Sequence, residues 1–272
     1  MTKEQAKIIY KDVINQFGYV NNPASVDAVY ILRDGNFLDT CGGYPNHQHI
    51  NVAKYISQKY NINDIKITDA VRKERIHDLR KKTDVLVIDD EGFEPKEFLE
   101  GNNYRLTRKT DIDNVKDVSE YPIIMCDIRG IGRKLSSSFE GAFLIKEIKD
   151  NYPEKIVIAY TASQYDPSYN VYLQKANAVL RKSTSTEEWL DILDKYIFLT
   201  ADPVYQWKVL RDRLIDMDVP LVDIAKLESA FVKSYIKGEF TSFEKISKSM
   251  DSEITIVIAD FISNIVDQLI KR

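Results

Sequence analysis

The sequence predicts an α/β chain built around a doubly wound parallel sheet, with a small α+β segment before it and an all-α segment after it. Three observations carry this expectation. Between residues 83 and 199 five short apolar runs alternate with amphipathic stretches; from residue 200 onward the apolar spacing is helical throughout; residues 1–82 mix both patterns. At 272 residues, 44% hydrophobic and 29% charged, the chain is long enough for two or three domains with a sizeable core.

Taken in order, Thr2 to Gln16 has helical spacing, with Ala6, Ile9, Tyr10 and Val13 on one face. Asp27 to Thr40 reads as two strands joined by the turn RDG, Asn51 to Tyr60 as a helix, and the charged stretch from Asp69 to Lys82 as a connecting helix or arm. The central strands are expected at 85–88 (VLVI), 104–107 (YRLT), 123–126 (IIMC), 156–160 (IVIAY) and 178–180 (AVL). Helices are expected in FEPKEFLE, DIDNVKDVS, FEGAFLIKEIKD, YNVYLQKAN and STEEWLDILDKYI. Apolar runs interleaved with helices imply parallel strands, because parallel neighbours need a crossover and the crossovers bury both faces. Four helices follow, at Pro203 to Met217, Leu221 to Ile236, Ser242 to Ser249 and Ser252 to Ile270, punctuated by Pro220 and Gly238. The expected domains are thus 1–82, 83–199 and 200–272.

Composition narrows the function classes. The net charge of −4, from 38 basic and 42 acidic residues, lacks the basic excess of a general nucleic-acid binder. No apolar run approaches the roughly 20 residues that span a bilayer, and Lys3, Glu4 and Lys7 stand where a signal peptide would be apolar, so a cytoplasmic protein without a membrane role is expected. Two cysteines, Cys41 and Cys126, point to reduced thiols rather than a disulfide framework.

Ligands of open α/β sheets bind beyond the carboxyl ends of the strands. At those positions stand Asp89, Asp90 and Glu91 after the first strand, Asp127 after the third, Thr161 after the fourth and Lys182 after the fifth. Carboxylates gathered on one edge repel unless a cation neutralises them, and an all-oxygen set suits Mg²⁺. A lysine and a hydroxyl facing the same spot complete a kit for phosphoryl transfer to a carboxylate, with central Asp127 the best nucleophile.

VLVIDDE, IIMCDIRG, IVIAYTAS and VLRKS, in that order and each at a strand end, resemble the receiver domain of two-component response regulators over about residues 83–199. The resemblance implies a flavodoxin-like (βα)5 fold. It also implies an acidic pair at Asp89 and Asp90, a phosphoacceptor at Asp127, the hydroxyl residue at Thr161 and the lysine at Lys182. Asp89, Asp90, Asp127 and the backbone carbonyl of Arg129 would hold Mg²⁺. A histidine kinase or phosphotransfer protein would be the donor and an effector protein the recipient of the signal, with no enzymatic activity beyond the chain's own phosphorylation and dephosphorylation. Motif order separates this from phosphatases of the haloacid dehalogenase type, in which the nucleophilic Asp comes first.

The sequence departs from the family pattern in several places. Gly141, which matches the family's glycine at the start of the next helix, lies fourteen residues after Asp127, so the loop GIGRKLSSSFE carries an insertion. Ser183 replaces the usual proline after the lysine, and Val179 replaces the aromatic switch residue, for which Tyr160 or Tyr165 would have to substitute. The first helix is short and contains Pro95. The expectation is an atypical response regulator; the alternative is a pseudo-receiver serving as a non-phosphorylated interaction scaffold or regulator, for instance in bacterial defence.

Other motifs read more simply. Gly130–Ile131–Gly132 lacks the GxxxxGK[ST] pattern and reads as a flexible loop rather than a nucleotide cradle, with Arg133 and Lys134 solvated. Cys41, His47 and His49 in CGGYPNHQH lack a second ligand pair for zinc, and His77 falls in a charged helix. The hairpin and the GG…HQHINVA pattern are faintly similar to small accessory domains of bacterial mobile-element and defence proteins. Residues 201–272 hold 10 basic and 12 acidic residues and no basic recognition helix, which favours a docking or homodimerising bundle over DNA binding.

Overall fold

A computed structural model of the chain describes residues 60–67, 69–136, 138–162, 167–248 and 250–270, together with Ile8 and Lys11. The helices expected over 2–16 and 51–60, the 27–40 hairpin, the Cys41, His47 and His49 group and Tyr165 lie outside the described residues, apart from Ile8, Lys11 and Tyr60. The chain divides into two compact units: Ile67–Gln206, and Met1–Lys66 with Trp207–Arg272.

The first unit begins with helix α1 (Asp69–Lys82) and continues through β1 (Asp84–Ile88), α2 (Lys96–Gly101), β2 (Arg105–Lys109), β3 (Ile123–Asp127), α3 (Glu140–Asn151), β4 (Ile156–Thr161), α4 (Asn170–Leu173), β5 (Ala178–Arg181) and α5 (Thr186–Thr200). The five strands are all parallel in the order β2-β1-β3-β4-β5. That order is the flavodoxin-like doubly wound arrangement, which places its ligand crevice where the connections after the neighbouring strands β1 and β3 leave on opposite faces of the sheet.

Strand parity sorts the core into two layers. Val85, Val87, Ile123, Met125, Ile158 and Tyr160 face one way and pack against Leu79, Leu99, Trp189, Leu193 and Ile197 of α1, α2 and α5. Leu86, Ile88, Ile124, Cys126, Val157 and Ala159 face the other way and pack against Leu144, Ile145 and Ile148 of α3 and Leu173 of α4. The three inner strands are buried on both faces, whereas β2 and β5, at the edges, alternate between exposed and half-buried residues. Burial in this apolar layer pushes the Cys126 thiol pKa up, as fits an inert, reduced cysteine.

Two expected helices are much shorter than their sequence pattern. DIDNVKDVS forms only a 3-10 turn, Val115–Val118, because Asn114 and Asp117 satisfy each other's backbone N–H groups and close a capping box around a single turn. YNVYLQKAN contributes one turn, Asn170–Leu173, after a 3-10 turn at Pro167–Tyr169. Helix α2 is also short and starts directly after Pro95, which is pre-set for a helix start and cannot lie further inside. The charged α1 does not stand apart as an arm: Arg80 makes a two-pronged ion pair with Asp194 of α5 (2.5 and 2.7 Å), and the Tyr104 hydroxyl donates to the same carboxylate (2.6 Å). His77 on this helix is exposed.

In the second unit, α7 (Leu221–Lys237), α8 (Thr241–Ser247) and α9 (Ser252–Ile270) join the part of α6 (Pro203–Asp216) that lies beyond Gln206. Gly238, at φ +71°, ends α7 with the Glu239 N–H turned back onto the Ser234 carbonyl, a left-handed cap that suits glycine. Trp207 stacks on Phe231 at 5.3 Å and meets Phe261 edge-on at 6.0 Å. The buried Glu228 carboxylate accepts from the Trp207 indole (2.7 Å) and from the Ile62 N–H (3.0 Å). No helix among the described residues is long and apolar enough to cross a membrane.

Candidate functional site

The carboxyl ends of β1, β3, β4 and β5 lie side by side, and the ladder carries on past them. The Asp89 N–H donates to the Lys109 carbonyl (3.1 Å), the Ile128 N–H to the Tyr160 carbonyl (3.1 Å) and the Lys182 N–H to the Thr161 carbonyl (2.7 Å). These backbone bonds fix where the polar side chains emerge. Asp89, Asp90 and Asp127 each present an oxygen within 4.8 Å of the others, so the structure brings the three predicted carboxylates together.

Each is held differently. Asp89 is fully buried, and Oδ1 accepts from the Glu91 and Gly92 N–H groups (2.9 and 2.7 Å). Its Oδ2 accepts from the Tyr160 hydroxyl (2.9 Å) and lies 3.1 Å from Lys182 Nζ. Asp90 is exposed, and its carboxylate rests over Gly130: a Cβ on that residue would lie 2.3 Å from both of its oxygens. Gly130 also has φ +82°, so glycine is required there twice over. Asp127 ends β3 nearly buried, with Oδ1 accepting from the Arg129 N–H (3.3 Å) and Oδ2 at 2.7 Å from Lys182 Nζ.

Lys182 therefore bridges Asp89 and Asp127, with the exposed Glu91 carboxylate 3.8 Å away. Burial lowers the ammonium pKa, but the bonds to Asp127 and Asp89 outweigh it and the net shift is upward. Asp127 goes the other way from a simple ion pair. Burial raises its carboxyl above the ordinary range, and Lys182, shared with Asp89, only partly offsets that. Three carboxylates facing one ammonium retain surplus negative charge. Asp90, Asp127 and Asp89 are chemically suited to a hard divalent cation, and the hollow over Gly130 that admits the Asp90 carboxylate fits such a site. Thr161 is buried at the end of β4, one residue beyond Tyr160, which pairs with Asp127 across the sheet. The Arg129 side chain is exposed.

The described start of the loop after β3 is tied to the rest of the unit at several points. Ile128 and Ile131 are fully buried, and the two glycine N–H groups are taken by carboxylates of the chain itself: Gly130 donates to Glu140 (2.9 Å) and Gly132 to Asp111 (2.7 Å). Arg133 and Lys134 are exposed, as expected, but pair with Glu140 (3.2 Å) and Asp113 (2.5 Å). A nucleotide phosphate would find those donors occupied. Helix α3 closes tightly on the site, since a Cβ on Gly141 would lie 2.0 Å from the Asp127 carbonyl oxygen.

Four contributors escaped the sequence reading: the Tyr160 hydroxyl on Asp89, the Arg108 guanidinium donating to the Asp89 and Asp90 carbonyls (2.8 and 3.2 Å), and the Glu140 and Asp111 clasps. Only Tyr160 left a usable signal, because a hydroxyl inside the apolar run IVIAYT must find a buried partner. Its pKa is driven far up by burial and by Asp89, so it remains a donor. Tyr160, named above as a substitute for the aromatic switch residue, is fully buried.

No protein-family model matches the chain, and no curated protein matches it. Among solved structures, it is similar to the chemotaxis protein CheY4 of Vibrio cholerae (16% identity, TM-score 0.35), covering 42% of this chain and 98% of that one. It is also similar to the beryllofluoride-activated NtrC4 receiver domain dimer (27%, 0.34, covering 42% and 95%) and to a response regulator receiver domain protein from Clostridium thermocellum (18%, 0.35, covering 43% and 94%). Over about 43% of its length the chain is similar to response-regulator receiver domains, and the remainder is unrecognised.

Proposed function

We propose that the chain is an atypical response regulator, phosphorylated on Asp127 in a Mg²⁺-dependent reaction and signalling through its flanking segments by protein–protein contact. The observation that carries this reading is the trio Asp89, Asp90 and Asp127 with Lys182 bridging two of them at the ligand edge of the sheet. Residues 83–199 would form the receiver domain, with 1–82 and 200–272 as its partners in the chain. Asp89, Asp90, Asp127 and the Arg129 backbone carbonyl would hold Mg²⁺, which when bound supplies charge neutralisation for the incoming phosphoryl oxygens.

In the transfer, an Asp127 carboxylate oxygen forms the new bond to phosphorus while the bond to the donor breaks and its electron pair leaves with the donor, a phosphohistidine of a kinase or phosphotransfer protein. Lys182 would follow the charge from the carboxylate to the phosphoryl group, and Thr161 would donate a hydrogen bond to it. The added charge would then bias contacts with an effector protein, or with a second copy through the C-terminal helices. Mg²⁺ calorimetry on the full chain tests the first step: one site is expected, weakened in Asp90→Asn and in Asp127→Asn, and a chain that takes up no Mg²⁺ overturns it.

A second reading is favoured by the anchored loop: a pseudo-receiver that works as a scaffold, its site locked by Lys182, Glu140 and Asp111. Retention of cellular activity by Asp127→Asn, together with loss on disruption of the C-terminal helices, would select it.

A further inference from the structure

Asp89 Oδ2 is shared between two donors, and only one of them belongs to the phosphorylation kit. Lys182 lies 3.1 Å from this oxygen but 2.7 Å from Asp127, while the Tyr160 hydroxyl lies 2.9 Å from it. Since Asp89 is fully buried and Oδ1 is already taken by two backbone N–H groups, Oδ2 must draw its remaining compensation from these two side chains. What Tyr160 supplies, Lys182 need not. The Tyr160 ring is itself fixed, at 5.5 Å from Phe93 and edge-on to Trp189 at 6.0 Å, and Lys182 Nζ sits 5.8 Å from its centroid.

We infer that Tyr160 is a positioning residue for the reaction at Asp127: its hydroxyl satisfies Asp89 and so leaves Lys182 seated on the acceptor carboxylate. This deepens the phosphorylation reading and rests on it. A phenylalanine at 160 keeps the ring packing and removes one donor, so Lys182 becomes the sole side-chain donor to Asp89 Oδ2 and is drawn off Asp127. Asp127 keeps its Arg129 N–H donor, and Asp89 keeps its Glu91 and Gly92 N–H donors. Tyr160→Phe therefore removes none of the proposed Mg²⁺ ligands.

The test uses the full-length chain and Tyr160→Phe. The crystal structure of the metal-free variant should show Lys182 moved from Asp127 onto Asp89, an outcome that does not depend on any reaction. With saturating Mg²⁺ and acetyl phosphate, the maximal labelling rate should fall about tenfold, the kinetic equivalent of one lost hydrogen bond to a charged group, with the half-saturating donor concentration unchanged. Lys182 still seated on Asp127 in the variant, or an undiminished rate, overturns the inference. A parent chain that is not labelled overturns the phosphorylation reading instead, and the crystal structure still decides the position of Lys182. For a variant that does not fold, the parent labelled with 5-fluorotryptophan decides: its Trp189 resonance should move when calorimetrically saturating Mg²⁺ draws on Asp127, and an unmoved resonance counts against the coupling.

Discussion

Gly141→Ala sets two physical effects against each other. In a helix alanine is favoured over glycine by roughly 0.5–1 kcal/mol, so helix preference alone predicts a stabilised protein. The structure predicts the reverse. The new Cβ would lie 2.0 Å from the Asp127 carbonyl oxygen, 3.0 Å from an Ile131 side-chain carbon and 3.1 Å from the Asp127 carbonyl carbon. A carbon and a carbonyl oxygen come no closer than about 3.3 Å even in favourable contacts, so α3 must retreat from β3 by about 1 Å. The obstructing atom is backbone in a fully buried strand, so no rotamer change relieves it. Overpacking of this kind costs about 1–3 kcal/mol, so against the helix gain a net loss of up to about 2.5 kcal/mol remains, the upper part of that range applying where backbone blocks relief. Urea denaturation of parent and variant, followed by far-UV circular dichroism, measures it. A variant as stable as the parent, or more so, would refute the close packing of α3 on the acceptor strand.

Three further outcomes follow from the geometry. Gly130→Ala places a methyl group where the Asp90 carboxylate lies; that side chain can swing away, so Mg²⁺ affinity should fall about tenfold by calorimetry, on top of the stability lost to alanine at φ +82°. Lys155 is buried and donates to the Ser119 and Tyr121 carbonyls (2.6 and 2.9 Å) at the entrance to β3, so Lys155→Met should lower unfolding free energy by about 1–3 kcal/mol; an unchanged denaturation midpoint would contradict this. Burial raises the Asp127 pKa in the folded chain, which therefore holds that proton more tightly than the unfolded chain does. The stability contributed by this group is present below the unfolded value of about 4 and lost as pH rises through the folded one. Without Mg²⁺, Asp127→Asn should thus gain stability relative to the parent between pH 4 and pH 7; a constant difference across that range would refute the burial argument.

The sheet was legible because its information is local. VLVI, IIMC and IVIAY announce strands buried on both faces, and the polar residues that end them fall at the ligand edge whatever the rest of the fold does. The Asp89, Asp90, Asp127 and Lys182 cluster could be read for the same reason, each residue lying at the end of its strand or within two residues of it. Contacts set by loops could not. Asp111 and Gly132 are joined by a bond that no periodicity encodes, and Glu140 reaches back across an insertion whose path depends on burying Ile128 and Ile131. The helix expected in DIDNVKDVS failed because Asn114 and Asp117 cap a single turn, a local competition that amphipathic spacing ignores.

The most direct test of the central claim is phosphoryl incorporation by the intact full-length chain incubated with acetyl phosphate, with and without Mg²⁺, followed by peptide mapping. The account predicts one acid-stable, hydroxylamine-labile phosphoryl group on Asp127, formed only with Mg²⁺ and absent from Asp127→Asn. A chain that binds Mg²⁺ yet remains unmodified at Asp127, or that is modified equally in Asp127→Asn, would contradict it.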